Sequence, residues 1–155
     1  MSTLAVYLHE ERVGHLEQSD DGELRFTYSP EWLSSENATP LSRMLPLTPD
    51  TFKTRRARPF FAGILPEEGP RRRIAEVLGI SERNDFAMLE RIGGECAGAV
   101  SLLPPDVEPR EIERRVRTLD EEELEAIVKT LARRPLLAGE EGVRLSLAGA
   151  QEKLP

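Results

Sequence analysis

At 155 residues, 39% hydrophobic and 32% charged, the chain is long enough for one domain with its own core and the start of a second, and no run reaches the ~18 apolar residues of a membrane span. A net charge of −7 and a pI near 5.0 argue against phosphate-backbone binding as its main task. Met1 to His9 has neither the basic start nor the cleavage site of a secretory signal, and the single Cys96 cannot close an intrachain disulfide, so a reducing cytoplasm is expected.

Leu4, Val6 and Leu8 alternate with Ala5 and Tyr7, which predicts a first strand. His9-Glu10-Glu11 turns the chain, and Arg12 to Leu16 returns as a second. Asp20-Asp21-Gly22 is a hairpin signal, and Leu24, Phe26 and Tyr28 alternate as a third. Ser29 is placed to cap a short helix with Pro30 at its first position and Trp32 facing inward. Leu41 to Leu47 alternates and ends beside Pro46, which predicts a short edge strand. Thr48 to Arg58 is polar, and Pro59 is expected to open a helical turn carrying Phe60, Phe61, Ile64 and Leu65. Pro70 then starts a helix with Ile74, Val77 and Leu78 on one face and Gly79 as its stop. Asn84 or Asp85 caps the next, with Phe86, Leu89 and Ile92 at spacing three and Gly93-Gly94 beyond. Ala97 to Leu103 reads as a buried strand closed by Pro104-Pro105.

Asp106 to Pro109 has no apolar periodicity and reads as a linker, and Arg115 to Leu119 is a further short strand. Asp120-Glu121-Glu122-Glu123 is the clearest helix start. Asp120 caps, Glu123 completes a capping box, and Leu124, Ile127, Val128 and Leu131 make a stripe suited to burial. Pro135 ends this helix. Val143, Leu145 and Leu147 then alternate as a strand that runs into Ala148-Gly149-Ala150, followed by Gln151, Glu152 and Lys153. Small residues let a backbone approach an anion, successive N–H groups form a nest for it, and Lys adds a point charge. The run is neither GxxxxGK[ST] nor GxGxxG, so on spacing alone it reads more readily as an ordinary tight turn leaving a strand.

Arg144 through Lys153 resembles the signature loop of the HipA family, the serine/threonine kinase toxins of bacterial type II toxin–antitoxin modules. The resemblance continues upstream through Tyr28-Ser29-Pro30-Glu31-Trp32-Leu33, Pro40-Leu41-Ser42, Leu45-Pro46-Leu47, Phe60-Phe61, Leu65-Pro66, Arg71, Arg73-Ile74, Asp85-Phe86, Ile92-Gly93 and Gly98-Ala99-Val100. It implies an α+β fold, with residues 1–105 a mainly antiparallel sheet or open barrel flanked by short helices. Residues 106–155 would be the linker, capped helix, first strand and phosphate loop of the kinase ATP-binding subdomain. It implies that Ala148, Gly149, Ala150, Gln151, Glu152 and Lys153 bind the phosphates of ATP, and that Ser146 is autophosphorylated to inactivate the enzyme. ATP and Mg²⁺ are the implied cofactors and a protein serine the acceptor, glutamyl-tRNA synthetase being the family's substrate type. The implied partners are a HipB-like helix-turn-helix antitoxin, a second toxin copy, and DNA only through the antitoxin. The catalytic and metal-binding carboxylates of the family follow the loop, so these 155 residues are expected to be inactive alone.

The competing class is a non-catalytic interaction or inhibitor module acting on a separate kinase chain. Two basic runs, Arg55-Arg56 with Arg58 and Arg71-Arg72-Arg73, could meet an acidic partner, though such runs are usually solvated faces. His9 and His15 lack a compact third and fourth metal ligand. Cys96 has no identifiable general base and reads as a small core residue.

Overall fold

In the computed structural model, which describes residues 1–95, 99–109 and 120–131, the first 28 residues form the meander that their alternation predicts. Strands β1 (Ser2–Leu8), β2 (Glu11–Gln18) and β3 (Leu24–Tyr28) pair antiparallel in sequence order. Gly22 in the second turn adopts φ +83°, a left-handed conformation that costs glycine no Cβ clash. Between β1 and β2 the register steps by one, Val6 facing Gly14 and Tyr7 facing Arg12. This bulge lets Val13 and Leu16, three positions apart, both enter the core. At Gly14 a Cβ would lie 2.2 Å from the Thr27 carbonyl oxygen, so the close approach of β2 to β3 admits no side chain there.

Two short strands complete the sheet. β4 (Phe52–Lys53) pairs with β3, and β5 (Val100–Leu103) pairs with β1, giving the open antiparallel order β4-β3-β2-β1-β5. The helices are α1 (Pro30–Leu33), α2 (Thr54–Gly63), α3 (Glu68–Leu78), α4 (Asp85–Ile92) and α5 (Glu121–Leu131). The class is α+β, as expected. Leu4, Val6, Leu16, Phe26 and Tyr28 from the sheet join Trp32, Phe61, Ile74, Phe86, Met88 and Leu89 from the helices in one core. Phe26 sits among three rings, with centroids 4.8 Å from Tyr28, 5.3 Å from Phe61 and 6.3 Å from Phe52. Ala5, Tyr7 and Leu103 form a smaller second cluster, against which Val107 packs.

Local signals place the helix ends. The Ser29 hydroxyl accepts the Trp32 N–H, Gly79 closes α3 at φ +66°, and Asn84 Oδ1 accepts the Ala87 N–H. The predicted capping box of α5 is present: Glu123 N–H donates to Asp120 Oδ1 at 2.8 Å, and Asp120 N–H donates to Glu123 Oε2 at 3.1 Å.

Four expectations need correction. Leu41–Leu47 is not an edge strand but a turn closed by a single Ser42–Leu45 bridge. Its backbone is served by the Tyr28 hydroxyl instead, which accepts from Leu41 N–H at 2.8 Å and donates to Leu45 O at 2.7 Å. Pro59 does not open a helix but lies inside α2. The helix begins earlier because Thr54 Oγ1 hydrogen-bonds the Leu24 backbone, accepting its N–H at 2.8 Å and donating to its carbonyl at 3.2 Å. Val77 is exposed, and Ala75 takes its place beside Ile74 on the buried face of α3. Leu124 and Val128 of α5 are 52% and 43% exposed rather than buried, because amphipathic spacing marks the face that favours burial without supplying a cover. The side chains of Ile127 and Leu131, the start of the expected Ala97–Leu103 strand and the expected Arg115–Leu119 strand lie outside the described residues.

Candidate functional site

Ser146, the Ala148–Lys153 loop and Cys96 lie outside the described residues. The two arginine runs lie inside them, and there the fold brings together a constellation that sequence spacing did not reveal. Asp85, the first residue of α4, is only 6% exposed. Arg58 of α2 donates from Nε to its Oδ2 at 2.5 Å, and Arg71 of α3 donates from Nη2 to its Oδ1. Arg71 also donates from Nε to the Glu82 carbonyl at 2.7 Å. One carboxylate therefore ties three helices, at a helix start where backbone N–H groups favour negative charge. The hydrogen bond that Arg58 donates to Asp85, and then the charge of that carboxylate, raise the Arg58 pKa above its ordinary value.

The other arginines divide by environment. Arg56 grips the Met44 carbonyl through Nε at 3.1 Å and Nη2 at 2.8 Å, with its guanidinium carbon 4.9 Å from the Phe52 ring centroid. Arg72 reaches Glu82 at 3.5 Å across the surface. Arg55 and Arg73 are exposed. Half of the two runs is thus structural, and half follows the solvated-face expectation. The pairing of Asp85 was illegible because its partners lie 27 and 14 residues upstream, beyond any local spacing rule.

Beside this ion cluster opens a cavity of about 440 Å³, bounded by the β2–β3 turn, the start of α2 and the approach to α4. Thr54, Arg58, Ser81, Arg83, Asn84 and Asp85 contribute polar walls, and Phe86 is among the lining residues. His15 Nε2 lies 4.0 Å from Glu17 Oε2 on the outer face of the sheet. Among the described residues no group of three His, Cys, Asp or Glu could hold a metal ion, and no helix is long and apolar enough to cross a membrane.

Comparison with known proteins gives a consistent picture. Residues 4–103 match the family model described as the HipA N-terminal domain. Y4mE of Sinorhizobium fredii, which carries kinase in its name, is 50% identical over 147 residues, spanning 92% of this chain and 35% of that protein. The serine/threonine-protein kinase toxin HipA of Shewanella oneidensis is 28% identical over 153 residues, spanning 98% of this chain and 34% of that protein. Among solved structures, the complex of HipA, HipB and operator DNA from Shewanella oneidensis MR-1 matches with a TM-score of 0.66 and 27% identity. That match covers 97% of this chain and 34% of the other. The chain spans about a third of the length of the relatives it matches.

Proposed function

The chain belongs to the HipA N-terminal domain family, and from that membership we propose that it is the amino-terminal portion of a HipA-type serine/threonine kinase toxin. In this reading the whole protein transfers phosphate from ATP to a serine of a protein substrate, of which glutamyl-tRNA synthetase is the family's type. Residues 1–105 form the N-terminal subdomain, and residues 106–155 begin the ATP-binding subdomain. The observation that carries the reading is the extent of the likeness to the Shewanella oneidensis toxin kinase. At 98% of this chain it must reach into the Val143–Lys153 stretch.

There the chain's own residues have a chemically coherent task. Ala148, Gly149 and Ala150 leave the backbone bare enough for successive N–H groups to approach phosphate oxygens. Gln151 and Glu152 continue that run of amides, and Lys153 supplies a positive charge. Bound ATP supplies the transferable phosphoryl group, and Mg²⁺ would neutralise charge on its phosphates. We assign no Mg²⁺ ligand to the described residues, which hold no suitable cluster. The catalytic and metal-binding carboxylates belong, in this reading, to the rest of the protein. The 155 residues alone would turn over no ATP.

Ser146 precedes the Ala148-Gly149-Ala150 run, and the alternation of Val143, Leu145 and Leu147 would set it on the opposite face from them. A phosphate there adds about −1.5 to −2 charges at neutral pH and repels the anionic nucleotide from the adjacent loop. Self-phosphorylation at Ser146 therefore switches the enzyme off. A HipB-like antitoxin is the proposed partner, in keeping with the complex in which the structural neighbour was solved. A second toxin copy and DNA held by the antitoxin complete the proposed assembly, in the cytoplasm.

Incubating the full-length protein with ATP and Mg²⁺ and mapping phosphate by mass spectrometry tests this reading. It predicts modification within the Val143–Lys153 peptide at Ser146, with no ATP turnover by the 155-residue chain alone. An unmodified peptide in an active preparation, or metal-dependent turnover by the short chain, would overturn the respective claim.

A further inference from the structure

We propose that the cavity beside Asp85 is an oxyanion-binding site, taking the carboxylate or phosphate group of a small acidic ligand. The inference does not depend on the kinase reading. It rests on which hydrogen-bonding groups the cavity leaves unused. Asp85 is the carboxylate among its lining residues, and both of its oxygens are taken, Oδ2 by Arg58 and Oδ1 by Arg71. Beside the Gln18 amide and the Thr54 hydroxyl, the lining then offers donors from Arg58, Arg83, Asn84 and Ser81.

Arg58 spends only Nε on Asp85, so its terminal amino groups stay available on a side chain that is 56% exposed. Arg83 is exposed, and its guanidinium makes no ion pair among the described residues. Asn84 spends Oδ1 on the Ala87 N–H, which leaves its Nδ2 as a donor. Ser81 Oγ accepts the Arg83 backbone N–H, which leaves its hydroxyl proton free to donate. The lining carries two guanidiniums, of Arg58 and Arg83, against one carboxylate that Arg71 also pairs from behind, so this corner is locally cationic in a chain whose net charge is −7.

The hydrogen bond to Asp85 also holds Arg58 in place before any ligand arrives, which lowers the ordering cost of binding. The volume of about 440 Å³ falls in the range of small-ligand sites.

The test is a titration of the ¹⁵N-labelled 155-residue chain at constant ionic strength, with inorganic phosphate in one series, succinate in a second and chloride as the control. The expected result is saturable movement of the Arg58 Nε–H and Asn84 side-chain signals with one oxyanion, at a Kd on the order of millimolar or tighter. The tighter probe identifies the source, phosphate or carboxylate. Arg83→Gln, at an exposed position outside the ion cluster, should weaken binding by about fivefold or more without moving the unfolding midpoint. Arg58→Gln should weaken it further. Absence of saturation with both probes, equal movement with chloride, or unchanged affinity in both variants would overturn the proposal.

Discussion

Asp85 shows how a single buried charge organises this chain. Its carboxylate is 6% exposed, while the two arginines that hold it differ, Arg71 at 17% and Arg58 at 56% exposure of the side chain. Removing one member of a buried pair leaves uncompensated charge behind, so Asp85→Ala should cost about 3 kcal/mol in urea unfolding. Arg71→Gln should cost more than Arg58→Gln, because solvent already serves much of Arg58. A loss under about 1 kcal/mol for Asp85→Ala would contradict this account of the cluster. Tyr28 supplies a second test at the same scale. Burial pushes its hydroxyl pKa above the ordinary value of 10.0, while the Leu41 N–H bound to it pulls the other way. The folded state therefore holds that proton more tightly than the unfolded chain does. The resulting stability is full below about pH 10 and is lost as pH rises through the folded-state value. Tyr28→Phe should flatten that alkaline decline and, by leaving Leu41 N–H and Leu45 O unpaired, cost about 1–3 kcal/mol at neutral pH. Parallel stability curves for the two proteins between pH 8 and about pH 11 would refute the assignment.

Elements whose information is local were legible before any coordinates. The period of two in Leu4–Leu8 and Leu24–Tyr28, the Asp21-Gly22 turn and the caps at Ser29, Gly79, Asn84 and Asp120 each need only a few neighbouring residues. Elements that depend on distant partners were not. β4 has two residues and exists because β3 offers an edge, and Leu41–Leu47 abandons strand pairing because one tyrosine hydroxyl serves two of its backbone groups. Pro59 reads locally as a helix start, yet Thr54 anchored to Leu24 begins the helix before it. At α5 the local reading is again testable. Asp120→Ala removes the oxygen that accepts the Glu123 N–H, costing about 1 kcal/mol of helix stability. Hydrogen exchange should show the Glu123 amide exchanging about fivefold faster while the β1–β3 amides keep their protection. Unchanged exchange at Glu123 would show that the capping box does not hold this helix.

At the scale of the molecule, an antiparallel sheet sharing one core with α1 to α4 and the HipA N-terminal family match across residues 4–103 agree with what residue patterning and resemblance implied. The ion cluster and its adjacent cavity were illegible, since they arise only when α2, α3 and α4 converge. The functional proposal rests on the Ala148-Gly149-Ala150 sequence ahead of Lys153, whose backbone and ammonium are proposed to receive the phosphates of ATP. ATP affinity of the full-length protein, measured by calorimetry for the native sequence and for Lys153→Ala, tests this most directly. Loss of a phosphate-contacting charge predicts at least about tenfold weaker binding with an unchanged unfolding midpoint. Equal affinity in the two proteins would contradict it.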